Sequence, residues 1–242
     1  MGSTRLPGKV LADLSGRPLL ERLIDRLLAT RGIESLVVAT TLESADDLLC
    51  AWCETRSIPV YRGSSDDVLD RFWQCSQLYK PEVIIRVTAD DPLKDPEIIQ
   101  TALDICMSDL EIDYVSNTLT PSYPEGLDIE VFRYRALERA NIEATLQSER
   151  EHVTPYIWKN PNRFNLRNFS MDYDMSALRL TVDKPADLEL MRKIFLNFLD
   201  NPLIDYKSVI AWILDNPDLL SINSGTARNE GYYQTIAKES AR

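Results

Sequence analysis

The opening residues Met1-Gly2-Ser3-Thr4-Arg5-Leu6-Pro7-Gly8-Lys9 have the composition of an anion-cradling loop. Gly2 and Gly8 permit backbone conformations closed to other residues, which lets amides turn toward an oxyanion, and Arg5 and Lys9 add positive charge. That combination suits a nucleoside triphosphate. It is not the Walker A arrangement, because five residues rather than four separate Gly2 from Gly8, and Val10 stands where that motif needs a Ser or Thr for magnesium. A second block, Arg86-Val87-Thr88-Ala89-Asp90-Asp91-Pro92-Leu93, ends an apolar run on two adjacent carboxylates. Mg2+ prefers oxygen donors and keeps waters and phosphates in its shell, so one or two carboxylates suffice, and Asp90 is the stronger candidate. The same residues also suit a capped turn ahead of Asp95 and Pro96. In a third block, Leu180-Thr181-Val182-Asp183-Lys184-Pro185-Ala186-Asp187-Leu188, Asp183 either completes a metal site or caps a helix opened by Pro185.

Bringing three distant blocks to one point requires a sheet whose strand ends converge. The hydropathy pattern supplies the elements. Leu19, Leu20, Leu23, Ile24, Leu27 and Leu28 recur at helical spacing after Pro18. Residues 35–40 read as a strand, 44–55 as a helix, 58–61 as a strand, 67–79 as a helix and 83–88 as a buried strand. This alternation predicts a parallel, Rossmann-like sheet. After a helix over 96–107 the order changes. Strands at 113–116 and 127–132, helical patterns at 134–144 and 149–159, and the segment 165–169 predict a mixed sheet and an insertion over about 113–170, suited to a subunit interface. The chain returns at 178–182 and ends with helices near 185–199 and 206–214. One domain over 1–220 is expected, followed by a polar tail, 221–242, ordered at best in part.

A net charge of −11 opposes a nonspecific nucleic-acid binder, which needs a basic surface. No apolar run approaches the roughly 18 residues of a membrane span, and the N-terminus lacks the apolar centre of a signal peptide, which predicts a cytoplasmic protein without membrane insertion. Cys50 and Cys53 have Cys-x-x-Cys spacing but fall late in an amphipathic segment, and Cys75, Cys106 and His152 show no ligand spacing, so ordinary packing is expected. His152 is the only histidine and has no evident nucleophile beside it, so a structural role is expected.

Gly2 to Lys9 resembles the N-terminal signature of sugar-acid cytidylyltransferases, above all the SpsF-type spore-coat polysaccharide proteins and the related CMP-Kdo and CMP-sialic acid synthetases. The Asp90 and Asp183 blocks resemble the two later metal-binding blocks of that family in the expected order, with Asp187 as its structural second aspartate. The resemblance covers almost the whole chain. It implies a GT-A-like nucleotide-diphospho-sugar transferase fold, a Rossmann-like mixed sheet flanked by helices, and transfer of CMP from CTP to a sugar acid with release of pyrophosphate. It further implies Mg2+ on Asp90 and Asp183, a nucleotide held by Gly2, Ser3, Arg5 and Lys9, and a homodimer. Tyr61 to Arg71 resembles the segment near the base, which makes Arg62, Ser64 and Asp67 pocket candidates. Tyr123 to Phe132 resembles the sugar-pocket block, where Asp128 and Glu130 share a strand face and can bind hydroxyls. Glu149 to Tyr156 resembles a further block, where Arg150 can meet a substrate carboxylate through a bidentate pair. In that family an apolar strand ending in Ala-Arg precedes the opening loop, so a strand is expected ahead of Gly2. Two other classes fit the same residues: a non-catalytic sugar-nucleotide-binding protein with a degenerate N-terminus, and a glycosyltransferase using an NDP-sugar through Asp90 and Asp91.

Overall fold

The computed structural model describes Gly2 and residues 5–241, so Ser3 lies outside the described residues. After the opening loop a short 3-10 turn, Lys9–Leu11, follows Gly8, whose φ of 72° only glycine adopts without strain. A two-residue hairpin, β1 (Asp13–Leu14) and β2 (Arg17–Pro18), leads into α1 (Leu19–Leu28). There Leu19, Leu20, Leu23, Ile24 and Leu27 are buried as the spacing predicts, and Leu28 is exposed. Next come β3 (Val38–Thr41), α2 (Asp47–Glu54), β4 (Val60–Gly63), α3 (Val68–Tyr79), β5 (Val83–Arg86) and α4 (Pro96–Ser108). The strands β3 and β4 pair in parallel with Val38 opposite Val60. Helix α2 is preceded by a 3-10 turn, Ser44–Asp46, whose Asp46 accepts hydrogen bonds from the Thr40 hydroxyl at 2.6 Å and the Thr41 amide at 3.0 Å.

The second half contains β6 (Tyr114–Ser116), β7 (Glu130–Arg133), α5 (Tyr134–Glu143), α6 (Gln147–His152), α7 (Pro155–Trp158) and β8 (Leu166–Asn168). It closes with α8 (Pro185–Asn197), α9 (Tyr206–Asp215), α10 (Asp218–Ile222) and α11 (Glu230–Ser240). The wholly parallel start expected from the alternation is corrected here. β5 pairs antiparallel with β7, β7 antiparallel with β6, and β6 parallel with β8, giving a mixed four-stranded sheet of order β5-β7-β6-β8. Among the described residues no hydrogen-bonded ladder joins it to β3 and β4.

Alternation along the strands splits the core between the two faces of that sheet. Val115 and Val131 face one cluster with Ile98, Ile99 and Ala102 of α4, while Tyr114 and Phe132 face the other with Leu137 of α5 and Leu69 of α3. The helical run expected over 149–159 is broken at Val153, whose φ is 74°, just before Pro155 begins α7 without an amide to donate. The return at 178–182 is an extended passage with one parallel bridge, Glu125 to Arg179, rather than a full strand. Gly126 makes this passage possible: its φ is 102°, and a Cβ there would lie 2.4 Å from the Leu180 carbonyl oxygen. The poorly ordered tail expected from composition is also corrected. Thr235 of α11 is buried, and Glu239 accepts from the Ser148 hydroxyl of α6 at 2.9 Å. Among the described residues no helix is long and apolar enough to cross a membrane.

Candidate active site

Backbone pairing brings the second and third chemical blocks together. The Val182 amide donates to the Asp90 carbonyl at 2.9 Å, which places Asp183 beside Asp90 although they are distant in sequence. The Lys9 ammonium lies between them, donating to Asp90 Oδ2 and Asp183 Oδ1 at 2.7 Å each. Arg5 joins from the same loop, with Nη2 3.0 Å from Asp183 Oδ1. Of the sequence candidates, Arg5, Lys9, Asp90 and Asp183 therefore form one cluster. Gly2 is exposed with open space around it.

Desolvation alone would lower the Lys9 pKa, but Asp90 and Asp183 outweigh it and hold the ammonium above its ordinary value. Burial alone would lift Asp183, and Lys9, Arg5 and Arg179 overcome it and hold the carboxyl below its usual range. Arg179 belongs to a scaffold behind the cluster. Its Nη2 donates to Asp183 Oδ2 at 2.9 Å, its Nε to Asp187 Oδ1 at 3.0 Å, and its Nη1 to buried Glu125. Asp187 also accepts from the amides of Asp183 and Lys184 at 3.0 and 2.8 Å, so it fixes the turn that carries Asp183.

Asp91 points away from this chemistry. It is buried against Lys94 at 2.8 Å and the Thr88 hydroxyl at 2.8 Å, and burial lifts its carboxyl despite the lysine. An Asp90-Asp91 metal pair of the glycosyltransferase kind is absent from this arrangement. Among the described residues no three His, Cys, Asp or Glu side chains converge on a metal position. Asp90 and Asp183 nevertheless converge on a single cation, the Lys9 ammonium, and two carboxylates are a sufficient protein share for Mg2+ on a nucleotide.

The remaining candidates lie elsewhere. Arg62, at the end of β4, is held by Asp47 at 2.8 Å and the carbonyls of Thr41 and Glu43. Ser64 accepts from the Asp67 amide at 3.0 Å, and its carbonyl accepts from Arg71 at 2.8 Å. Asp67 caps α3 through the Asp70 amide and forms a forked pair with Arg150, whose Nη2 lies 2.7 Å from Oδ2. Arg150 also donates to Asn141, so two expected ligand-binding residues lock α6 onto α3 here. Glu130 and Asp128 do not share a strand, because β7 begins at Glu130. Glu130 is saturated by Arg86, Tyr114 and Thr154, and Asp128 pairs with Arg228. Burial pushes Asp128 up to about 6, with Arg228 and Lys94 pulling the other way.

His152 is half-buried, 3.2 Å from the Thr235 hydroxyl, with Tyr232 edge-on, and burial lowers its pKa. Cys53 is buried in the core, its thiol pushed up to about 11 by burial, the opposite of a reactive thiolate. An open groove of about 770 Å³ lined by Arg135, Arg139, Arg163 and Arg167 lies at the β8 end of the sheet and includes no residue of the Lys9 cluster.

Residues 1–209 match the model of the cytidylyltransferase family. The chain belongs to the cytidylyltransferase family. It is a CTP-dependent nucleotidyltransferase with a mixed sheet flanked by helices. This cytidylyltransferase is 37% identical over 235 residues to an uncharacterised protein of Methanocaldococcus jannaschii, covering 96% of this chain and 93% of that protein. It is 34% identical to the spore coat polysaccharide biosynthesis protein SpsF of Bacillus subtilis, covering 90% and 92%. It is 30% identical to a 3-deoxy-manno-octulosonate cytidylyltransferase of Anaeromyxobacter over about half of each chain, 53% and 52%. A cytidylyltransferase structure from Leptospira borgpetersenii superposes with a TM-score of 0.88 at 31% identity, covering 94% and 95%.

Proposed function

We propose that this cytidylyltransferase transfers CMP from CTP to a sugar acid, in the manner of an SpsF-type enzyme of surface polysaccharide biosynthesis, on a GT-A-like scaffold. The observation that carries the reading is the convergence of Asp90 and Asp183 on one cation at 2.7 Å, with Arg5 from the glycine-flanked loop beside them. The acceptor class is supported by the resemblance of the sequence blocks and by the sugar-acid relative that matches half the chain.

In this reading the acceptor hydroxyl oxygen bonds to the α-phosphorus as the bond to the bridging β-phosphate oxygen breaks, pyrophosphate leaves, and the hydroxyl proton passes to solvent water. Arg5 and Lys9 exchange carboxylate partners for phosphate oxygens when the nucleotide binds, which places two positive charges where the leaving group gains negative charge. Asp90 and Asp183 would hold Mg2+, which would supply neutralisation of the charge that develops on the transferring phosphate. Arg179 and Asp187 do not touch substrate; they keep Asp183 in place. The test is pyrophosphate release with each of the four ribonucleoside triphosphates and a panel of 2-keto-3-deoxy sugar acids. Release with CTP and at least one acid is expected, and no release with any acid would overturn the acceptor class.

A further inference from the structure

The family profile ends at residue 209, yet the chain returns to the site after it. Residues 226–230 cross the region between the Asp183 turn and the Tyr123–Asp128 segment. Lys184 Nζ donates to the Thr226 hydroxyl at 3.1 Å, the Asn229 amide to Glu125 Oε1 at 3.0 Å, and Glu230 pairs with Arg5 and Lys184 at 3.1 Å each. Arg228 is the inward-facing member. Its Nη1 donates to the Tyr123 carbonyl at 2.9 Å and its Nη2 to Asp128. Its Nε is buried and has no hydrogen-bond partner.

A buried donor left unpaired is costly, and one on a guanidinium more so. An acceptor oxygen arriving with a ligand removes that cost. Arg5, Lys9 and Lys184 line the Asp183 side with charge suited to phosphates, whereas Arg228 is anchored on Tyr123 and Asp128, in the segment that leads into β7. We infer that Arg228 is a specificity residue for the acceptor: its Nε donates to the carboxylate of the sugar acid, and the C-terminal segment beyond the family profile completes the acceptor site. Asp128 is then the residue that orients the guanidinium, not a ligand for sugar hydroxyls. A forked, planar cation that is always charged fits a carboxylate, and its second edge is fixed by Asp128 and the Tyr123 carbonyl. The inference rests on the acceptor class proposed above.

The test uses the full chain and its Arg228→Lys and Arg228→Gln variants, with a sugar acid that the wild type turns over and the same sugar carrying a carboxamide. Both variants should raise the acceptor KM by about tenfold to a hundredfold, the loss expected for one charge-assisted hydrogen bond. They should lower the acid-to-amide preference in kcat/KM by the same factor and leave the CTP KM within about twofold. Because Arg228→Gln leaves Asp128 without its partner, the double variant Arg228→Gln, Asp128→Asn provides a charge-matched control, with melting temperature and CTP binding as measures of folding. An unchanged acid-to-amide ratio in a folded variant overturns the inference, and so does a CTP KM that rises as much as the acceptor KM, which would assign Arg228 to the triphosphate. Failure of the wild type with every sugar acid would instead overturn the acceptor class itself.

Discussion

Replacing Lys9 with Met removes the one cation that Asp90 and Asp183 share among the described residues and leaves the rest of the site in place. The side chains of Lys9, Asp90 and Asp183 are only 12%, 22% and 18% exposed, so their charges are poorly screened. Removing one partner of a buried pair costs about 3–5 kcal/mol. Asp183 keeps Arg5 and Arg179, so among the described residues Asp90 alone is left without a cation, and the expected loss is at the low end, about 3 kcal/mol. At about 2–4 °C per kcal/mol for a chain of this size, the melting temperature in EDTA should fall by about 6–12 °C. The variant also leaves two carboxylates facing a position that a divalent cation can take. Mg2+ at a hundred times its dissociation constant should return about 2.7 kcal/mol, most of the loss. Thermal denaturation across a magnesium titration reads this directly. A magnesium shift in Lys9→Met no larger than in wild type or in Asp90→Asn would refute the reasoning, because the two carboxylates would then not act as a cation site.

Asp90→Asn and Asp183→Asn should each fold and each lower turnover by about a hundredfold or more, the scale of losing metal-borne charge stabilisation; unchanged kcat in either removes that residue from the mechanism. Arg150→Ala should cost about 1–2 kcal/mol of stability, since its pair with Asp67 is partly exposed, with acceptor KM within about twofold of wild type. A large rise in acceptor KM would return Arg150 to the substrate site. Burial holds His152 below its ordinary value, so the unfolded chain binds its proton first as the pH falls. The stability of the neutral form is complete above about pH 6.5 and lost progressively below it. Wild type should therefore lose more melting temperature between about pH 7.5 and about pH 5.5 than His152→Gln, and equal losses would show that His152 titrates as an exposed residue.

The clustered candidates were legible where a motif ends on them. Arg5 and Lys9 lie in a loop bounded by glycines, and Asp90 and Asp183 terminate apolar runs, so their types and positions marked them as candidates before any pairing was known. The partners of other candidates were not legible, because long-range docking decides them. Arg150 and Asp67 are 83 residues apart in sequence and meet only because α6 packs on α3. Glu125 and Arg179 meet through a single bridge that depends on Gly126. One signal was available for Arg179, a lone arginine in the apolar run Leu178 to Val182, four residues before Asp183. Sheet order was hidden for a related reason: a buried apolar strand reads the same whether its neighbour is parallel or antiparallel, and β5 acquires its direction from β7, 44 residues away at Glu130. The C-terminal segment was hard to read because much of its docking is polar, through Arg228, Asn229 and Glu230, and its apolar share rests largely on Tyr232 against His152 and Trp158, too little for a hydropathy signal.

Whether Asp90 and Asp183 form the metal site is read most directly from a crystal structure with CTP and Mn2+, in which anomalous scattering locates the metal. A metal peak bonded to carboxylate oxygens of both Asp90 and Asp183 is expected, with Lys9 and Arg5 moved onto the triphosphate. A peak away from both aspartates, or a Lys9 ammonium still bridging them while the triphosphate binds elsewhere, would contradict that assignment.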